Sequence, residues 1–411
     1  MKYVMLVGDG MGDMPVPELS GRTPLAAART PAMDALARRG ELLLVRTVPE
    51  GFPPGSDVAN LSLLGYDPRS CYTGRAPLEA ASMGVEIGPD ELAFRCNLVT
   101  LDFHEDGTIT MLDYSAGHIS SDEGTRLVRA IQERCGTGSI RLYPGISYRH
   151  LLILRGETPQ ISTVPPHDHM DRDVTAYYAR YLEAGSLGPL MECAHSVLAD
   201  HPVNRERIRR GLRPANAIWL WGEGGSPAME TLAERFGLSG SLVSAVDLLK
   251  GIGILSGLDV PDVEGATGYL DTNYEGKVQA ALAALAKGDF VLIHVEAPDE
   301  AGHQGLLADK IRAIEDFDAR IVAPMVRALE AGDEPFRLVV TMDHYTPLSR
   351  RTHEDWPVPM LLYDSGGVAR ASGRPYTEAD AREAVAASGL ELASGTDFFR
   401  YFIRGGEEGH G

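Results

Sequence analysis

Residues 289–303 read Asp-Phe-Val-Leu-Ile-His-Val-Glu-Ala-Pro-Asp-Glu-Ala-Gly-His, an apolar run that passes straight into a polar turn. Two other segments repeat the pattern. Tyr3-Val-Met-Leu-Val7 runs into Gly8-Asp9-Gly10, and Arg337-Leu-Val-Val-Thr-Met342 runs into Asp343-His344. Strands buried on both faces read as continuous apolar runs. In open α/β sheets ligands gather at the carboxyl ends of such strands, so the three turns are expected to converge. The fold class is α/β.

The same style extends to both ends of the chain. Thr30-Pro31 opens a helix that Gly40 closes, Leu42 to Val45 is a strand, and Ser56 leads into a helix over 58–64. Beyond residue 239, Ser241 to Ala245 reads as a strand, and 246–258 as a helix that carries Lys250. A long helix spans about 308–331, Pro357 to Tyr363 is a strand, and a final helix starts near Thr377. The middle changes to alternating stretches, such as Phe94 to Leu101 and His150 to Leu154, among amphipathic helices. The expected division is a core domain of residues 1–72 and 238–411, with 73–237 as an inserted α+β domain.

Length and charge bound the function. A chain of 411 residues exceeds one simple core. A net charge of −20 argues against nucleic acid or an anionic membrane as a partner, since both need clustered basic residues. The amino-terminal apolar run is too short for a signal peptide, and no run approaches a membrane span. The four cysteines, Cys71, Cys96, Cys135 and Cys193, show no close spacing. They are expected to be reduced thiols in the cytoplasm, without a disulfide framework.

Each polar turn is weak evidence taken alone. An aspartate after a strand is commonly a turn or helix cap. Asp299 and His303, four apart, simply share one helix face. Ser56, after Pro54-Gly55, reads locally as the N-cap of its helix. The combination is more specific: Asp9, Asp299, His303, Asp343, His344 and His353 supply three carboxylates and three imidazoles, an inventory suited to two divalent cations. Two cations can lower the pKa of a hydroxyl and clamp a phosphoryl group through an in-line displacement. Ser56, at a helix start that favours phosphate, is the candidate nucleophile.

The chain resembles the archaeal-type cofactor-independent phosphoglycerate mutases of the alkaline phosphatase superfamily over essentially its whole length. The resemblance rests on Gly8-Asp-Gly-Met-Gly-Asp13, Thr30-Pro-Ala-Met-Asp34, Pro54-Gly-Ser-Asp-Val-Ala-Asn60 and Tyr72-Thr-Gly-Arg-Ala-Pro-Leu-Glu79. It extends through Ala93-Phe-Arg-Cys-Asn97, Asp271-Thr-Asn273, Asp299-Glu-Ala-Gly-His303 and Asp343-His344. It implies an alkaline-phosphatase-like core domain interrupted by a substrate-handling domain. It also implies that Asp9, Ser56, Asp343 and His344 hold one metal and Asp299, His303 and His353 the other. The metals would be Mn, Zn or Mg, and Ser56 the residue that becomes phosphorylated.

The chain departs from the mutase pattern at two places. Tyr114-Ser-Ala-Gly-His118 stands where that pattern has Arg-Arg-Ala-Gly-Arg, and Trp221 stands where it has a further arginine. Arg75, Arg149 and Lys250 remain as candidate anion holders, though each also fits a solvated surface charge. His118 joins them as a candidate substrate contact. His167 and Asp168, with Asp171 and Asp173 nearby, offer a carboxylate for an ammonium group or a plain polar loop. The aromatic forms resemble a bacterial branch proposed to contain homoserine kinases. The leading expectation is therefore phosphorylation of homoserine through phospho-Ser56, with interconversion of 2- and 3-phosphoglycerate as the alternative. Either way the partner is a small molecule, and a homo-oligomer is compatible with the sequence.

Overall fold

Val4 to Val7, Val291 to Ile293 and Leu338 to Val340 carry no solvent-exposed surface, as continuous apolar strands in the middle of a sheet require. The computed structural model describes residues 1–367 and 370–405. Two compact units emerge, one of residues 1–72 with 228–411 and one of residues 73–227. The second crossing thus lies ten residues before the expected one. The helix Leu232–Phe236 follows it, opened by a Thr231/Glu234 capping box and closed by Gly237, and belongs to the first unit.

The first unit holds a seven-stranded sheet in the order Glu391–Leu392, Glu41–Val45, Val358–Asp364, Phe336–Thr341, Lys2–Gly8, Phe290–Val295, Gly240–Val243. The last four are mutually parallel. Val358–Asp364 is antiparallel to both of its neighbours. Lys2–Gly8 lies between Phe336–Thr341 and Phe290–Val295. The three polar turns therefore leave adjacent strand ends on one edge of the sheet.

The long helix over 308–331 is divided into Leu307–Phe317, a π turn Asp318–Val322 and Ala323–Glu330. Pro324 explains the break. Its ring crowds the preceding turn, and the widened turn lets the Ala323 amide bond back to Asp318 O. Some helices escaped the sequence reading, among them Tyr274–Leu285. After Glu378–Ser388 comes Gly395–Arg404, which buries Phe398, Phe399 and Phe402.

A buried cation fixes two of the three turns to each other. Lys310 Nζ, with no exposed surface, donates to Gly12 O (3.1 Å), Asp13 Oδ2 (2.8 Å) and Thr346 O (2.7 Å). Lys310→Met should destabilise the fold by roughly 3–5 kcal/mol, because the buried Asp13 carboxylate loses its counter-charge. Urea unfolding reads this directly, and a loss below about 1 kcal/mol, within the range of a surface pair, would contradict it.

The second unit is a five-stranded sheet. Its path runs Ile109–Asp113, Glu91–Phe103, Arg149–Arg155, Ile140–Tyr143, and Ala217–Gly225 also pairs with Glu91–Phe103. The helices Ser121–Cys135 and Leu187–Ala199 contribute Leu127, Ile131, Leu190 and Met191 to its core. They also carry a Cys135–Cys193 disulfide, so the expectation of four free thiols is corrected. The two cysteines are 58 residues apart in sequence, and only helix packing brings them together. Cys71 and Cys96 are free and buried. Closing a loop of that length should contribute about 4 kcal/mol by the chain-entropy argument. A phosphine reductant should lower the unfolding midpoint of the wild type and leave that of Cys193→Ala unmoved. Equal midpoints with and without reductant in the wild type would show that the bond adds nothing. Among the described residues, no helix is long and apolar enough to cross a membrane.

Candidate functional site

The three strand ends deliver their side chains to one place in the first unit. Asp9 follows Lys2–Gly8, Asp343 and His344 follow Phe336–Thr341, and Asp299 lies in the first turn of the helix Ala297–Gln304. Gly10 makes the approach possible. Its φ is +59°, and a Cβ there would sit 2.5 Å from Thr346 Oγ1 and 2.6 Å from Asp299 Oδ1.

Ser56 is not the N-cap of its helix. Gly55 occupies that position, and the helix Ser56–Leu63 has no side-chain cap. Ser56 Oγ instead donates to Asp9 Oδ2 at 3.4 Å and lies 3.1 Å from His344 Nε2. His344 Nε2 is in turn 3.4 Å from Asp9 Oδ1 and 3.5 Å from Asp343 Oδ2. One turn further along the helix, Asn60 Nδ2 donates to Asp343 Oδ2 (2.8 Å) and to Ser56 O (2.9 Å).

A second cluster adjoins the first. His303 Nε2 lies 3.2 Å from Asp299 Oδ2, and His353 Nε2 lies 3.5 Å from Asp299 Oδ1. The two imidazole nitrogens stand 2.9 Å apart, and the His344 and His353 rings are 4.1 Å between centroids. Thr346 Oγ1 donates to Asp299 Oδ1 and fixes that carboxylate from the other side. All six predicted metal ligands and Ser56 are thus brought together.

The electrostatics of the two clusters differ. Burial, reinforced by Asp343 and Asp299, pushes the Asp9 carboxyl well above its usual range. Burial also acts on Asp299, but the bonds from His303 and His353 outweigh it and hold this group well below the usual range. His303, despite its own desolvation, is raised to about 9 by Asp299. Burial lowers His344, with Asp343 opposing.

Two observations fit this donor set to divalent cations. Three carboxylates are buried within reach of one another, where their charges need an opposite charge. Among the described residues, Asp9 Oδ1 and His294 Nε2 are buried without a hydrogen-bond partner. Mixed carboxylate and imidazole donors suit Mn²⁺, Zn²⁺ or Mg²⁺ to different degrees.

Lys250 is half-buried on the helix Asp247–Leu255; burial holds the Lys277 ammonium down to about 8, with Glu296 opposing and Lys250 adding to the depression. The remaining predicted contacts belong to the second unit and are described within it. His118 and His167 each flank Tyr114, at 6.4 and 6.1 Å between ring centroids, and His167 also stands 5.5 Å from Trp221. Asp168 is exposed, 3.7 Å from His167 Nε2. Arg149 lies over the Tyr148 ring. Arg75 Nε is 3.6 Å from Glu79.

The sequence reading missed Arg95. Its guanidinium is buried 3.8 Å over the Trp221 ring and bonds Glu79 at 2.8 Å. Burial lowers its pKa to about 10, and both Arg75 and Arg149 add to the depression, so the three cations feel one another. Arg75 and Arg95 both face the Glu79 carboxylate, at 3.6 and 2.8 Å. The replacement of mutase arginines by Tyr114, His118 and Trp221 therefore does not empty this surface of cations.

Comparison with known proteins gives the same direction. Residues 37–204 match the family described as 2,3-bisphosphoglycerate-independent phosphoglycerate mutase. The probable enzyme of that name from Geobacter sulfurreducens is 55% identical over 384 residues, 93% of this chain and 96% of its own. That of Methanosarcina acetivorans is 50% identical over 405 residues, 98% of this chain and 100% of its own. The solved cofactor-independent phosphoglycerate mutase of Thermoplasma acidophilum shares the mixed α/β fold, with a TM-score of 0.64 and 28% identity, covering 98% of this chain and 99% of that one. These relatives are named as mutases, so the expectation of homoserine phosphorylation is set aside for the alternative. The chain belongs to the 2,3-bisphosphoglycerate-independent phosphoglycerate mutase family.

Proposed function

We propose that the chain interconverts 2- and 3-phosphoglycerate through a phospho-Ser56 intermediate. Asp9, Ser56, Asp343 and His344 hold one divalent cation and Asp299, His303 and His353 the other. The observation that carries this reading is the position of Ser56 Oγ, which caps nothing and faces His344 Nε2 at 3.1 Å and Asp9 Oδ2 at 3.4 Å. When bound, the cations supply positive charge that favours the ionised serine and neutralises the phosphoryl oxygens.

The residues then account for a balanced exchange. Ser56 Oγ loses its proton and bonds to phosphorus, the bond from phosphorus to the glycerate oxygen breaks, and that oxygen takes a proton. The other glycerate hydroxyl next loses its proton and bonds to phosphorus, the Oγ–P bond breaks, and Ser56 Oγ takes up a proton. No external phosphoryl donor enters. The start of the helix Ser56–Leu63 places the partial positive end of its dipole at the transferred group. Asn60 and Thr346 keep Asp343 and Asp299 in place.

Within the second unit, Arg75, Arg95 and Arg149 are the cations suited to a substrate carboxylate or phosphate, and Lys250 is a further candidate cation within the first unit. Arginine suits carboxylate and phosphate because its planar fork bonds both in bidentate fashion. The test is a phosphorus NMR time course of 3-phosphoglycerate with manganese-loaded protein and no 2,3-bisphosphoglycerate. Appearance of the 2-phosphoglycerate signal is expected, and an inert substrate would refute the reading.

A further inference from the structure

We infer that His294 is a further ligand of the cation held by Asp9 and Asp343, an inference that rests on the two-cation reading above. His294 is the fifth residue of the strand Phe290–Val295 and pairs in register with Val7, two residues before Asp9. It has no exposed surface. Its Nε2 is 3.0 Å from Asp9 Oδ2, and the ligand atoms of Asp9, His294 and Asp343 all lie within 4.8 Å of one another.

The hydrogen-bonding of the ring is what separates His294 from an ordinary core histidine. Buried polar groups are nearly always partnered. Among the described residues, His294 Nε2 makes no aligned hydrogen bond although Asp9 Oδ2 stands 3.0 Å away, and Asp9 Oδ1 is also without a hydrogen-bond partner. On the other side of the ring, Nδ1 lies 3.4 Å from Ser244 Oγ, which is itself held by the Val246 amide at 3.0 Å. With Nδ1–H donating to Ser244 Oγ, the neutral ring presents the Nε2 lone pair to the space shared with two carboxylates. A lone pair facing carboxylates is unfavourable unless a cation stands between them. Metal-ligating histidines characteristically donate their other ring N–H to an oxygen in this way. Lys277 Nζ donates to His294 O at 2.9 Å and fixes the backbone that aims the ring.

The experiment is Mn²⁺ binding to the intact protein, with electron–nuclear double resonance on ¹⁵N-histidine-labelled samples. Wild type is expected to bind two Mn²⁺ with couplings from His294, His303, His344 and His353. His294→Gln should lose one set of nitrogen couplings and weaken one of the two Mn²⁺ sites by more than ~100-fold, the upper range for an outer-sphere partner. Ser244→Ala should retain every coupling and weaken the same site by roughly tenfold. The melting transition of each variant in EDTA checks that it is folded. Should the glutamine variant not fold, a manganese-loaded wild-type crystal structure decides the matter by whether His294 Nε2 lies about 2.0–2.3 Å from the ion. A folded His294→Gln variant with all wild-type couplings, or an ion out of reach of Nε2, would overturn the inference and leave the two-cation reading intact. Wild type that binds no Mn²⁺ would remove that reading and this inference with it.

Discussion

Ser56→Ala is expected to lower phosphoglycerate interconversion by at least roughly four powers of ten while the protein stays folded. Ser56 Oγ is the hydroxyl that, among the described residues, bonds both His344 Nε2 and Asp9 Oδ2, so the variant loses the group that receives the phosphoryl group at that point. The side chain caps no helix amide, since Gly55 is the N-cap. The cost in stability should therefore fall below the ~1 kcal/mol of a lost cap. Turnover by phosphorus NMR and the urea midpoint measure the two halves of this expectation. Activity within tenfold of wild type would mean that water, not the serine, attacks phosphorus.

Removal of divalent cations should abolish turnover and also lower the melting temperature, with both restored by Mn²⁺. Asp9, Asp299 and Asp343 are buried together, and burial plus the two neighbouring carboxylates already push Asp9 well above its usual range without a cation. Binding that favours the folded state adds about 2.7 kcal/mol per cation at a hundred times its dissociation constant, on the order of 3–5 °C per cation here. The effect should grow with pH. His303 is raised from 6.5 to about 9 by Asp299 in the cation-free site. Its contribution is fully present below 6.5 and is lost as pH rises through about 9. The stripped protein thus loses stability over that window, whereas a cation at Asp299 replaces the proton and binds more tightly as pH rises. Calorimetry at pH 6.5 and 8.5, with EDTA or Mn²⁺, should show the gap in melting temperature widening. A constant gap would contradict the assignment of His303.

The parts of the site legible in the sequence are those where an apolar run ends in a carboxylate or a histidine. Such runs state both that a strand is central and where its end lies, so Asp9, Asp299, Asp343 and His344 stood out. Neighbouring strands then bring together what the chain separates by more than three hundred residues. His294 was hidden for the opposite reason. It lies inside the apolar run, where a lone histidine reads as core, and only strand register shows it beside Asp9. Arg95 was hidden by its motif, Ala93-Phe-Arg-Cys-Asn97, whose alternation marks a strand without saying that the arginine packs on Trp221. The pairing of Cys135 with Cys193 depends on two helices meeting, which no local spacing encodes. Substitutions at Tyr114, His118 and Trp221 were overread because the cations that remain near them come from other strands and helices.

The central claim is that phosphate passes through Ser56. Its most direct test is rapid quenching of manganese-loaded protein during turnover of 3-phosphoglycerate, followed by peptide mapping. The account predicts one phosphoryl group on the peptide that contains Ser56, absent from Ser56→Ala. Full turnover with Ser56 unmodified at every quench time, or phosphate on a different residue, would contradict it.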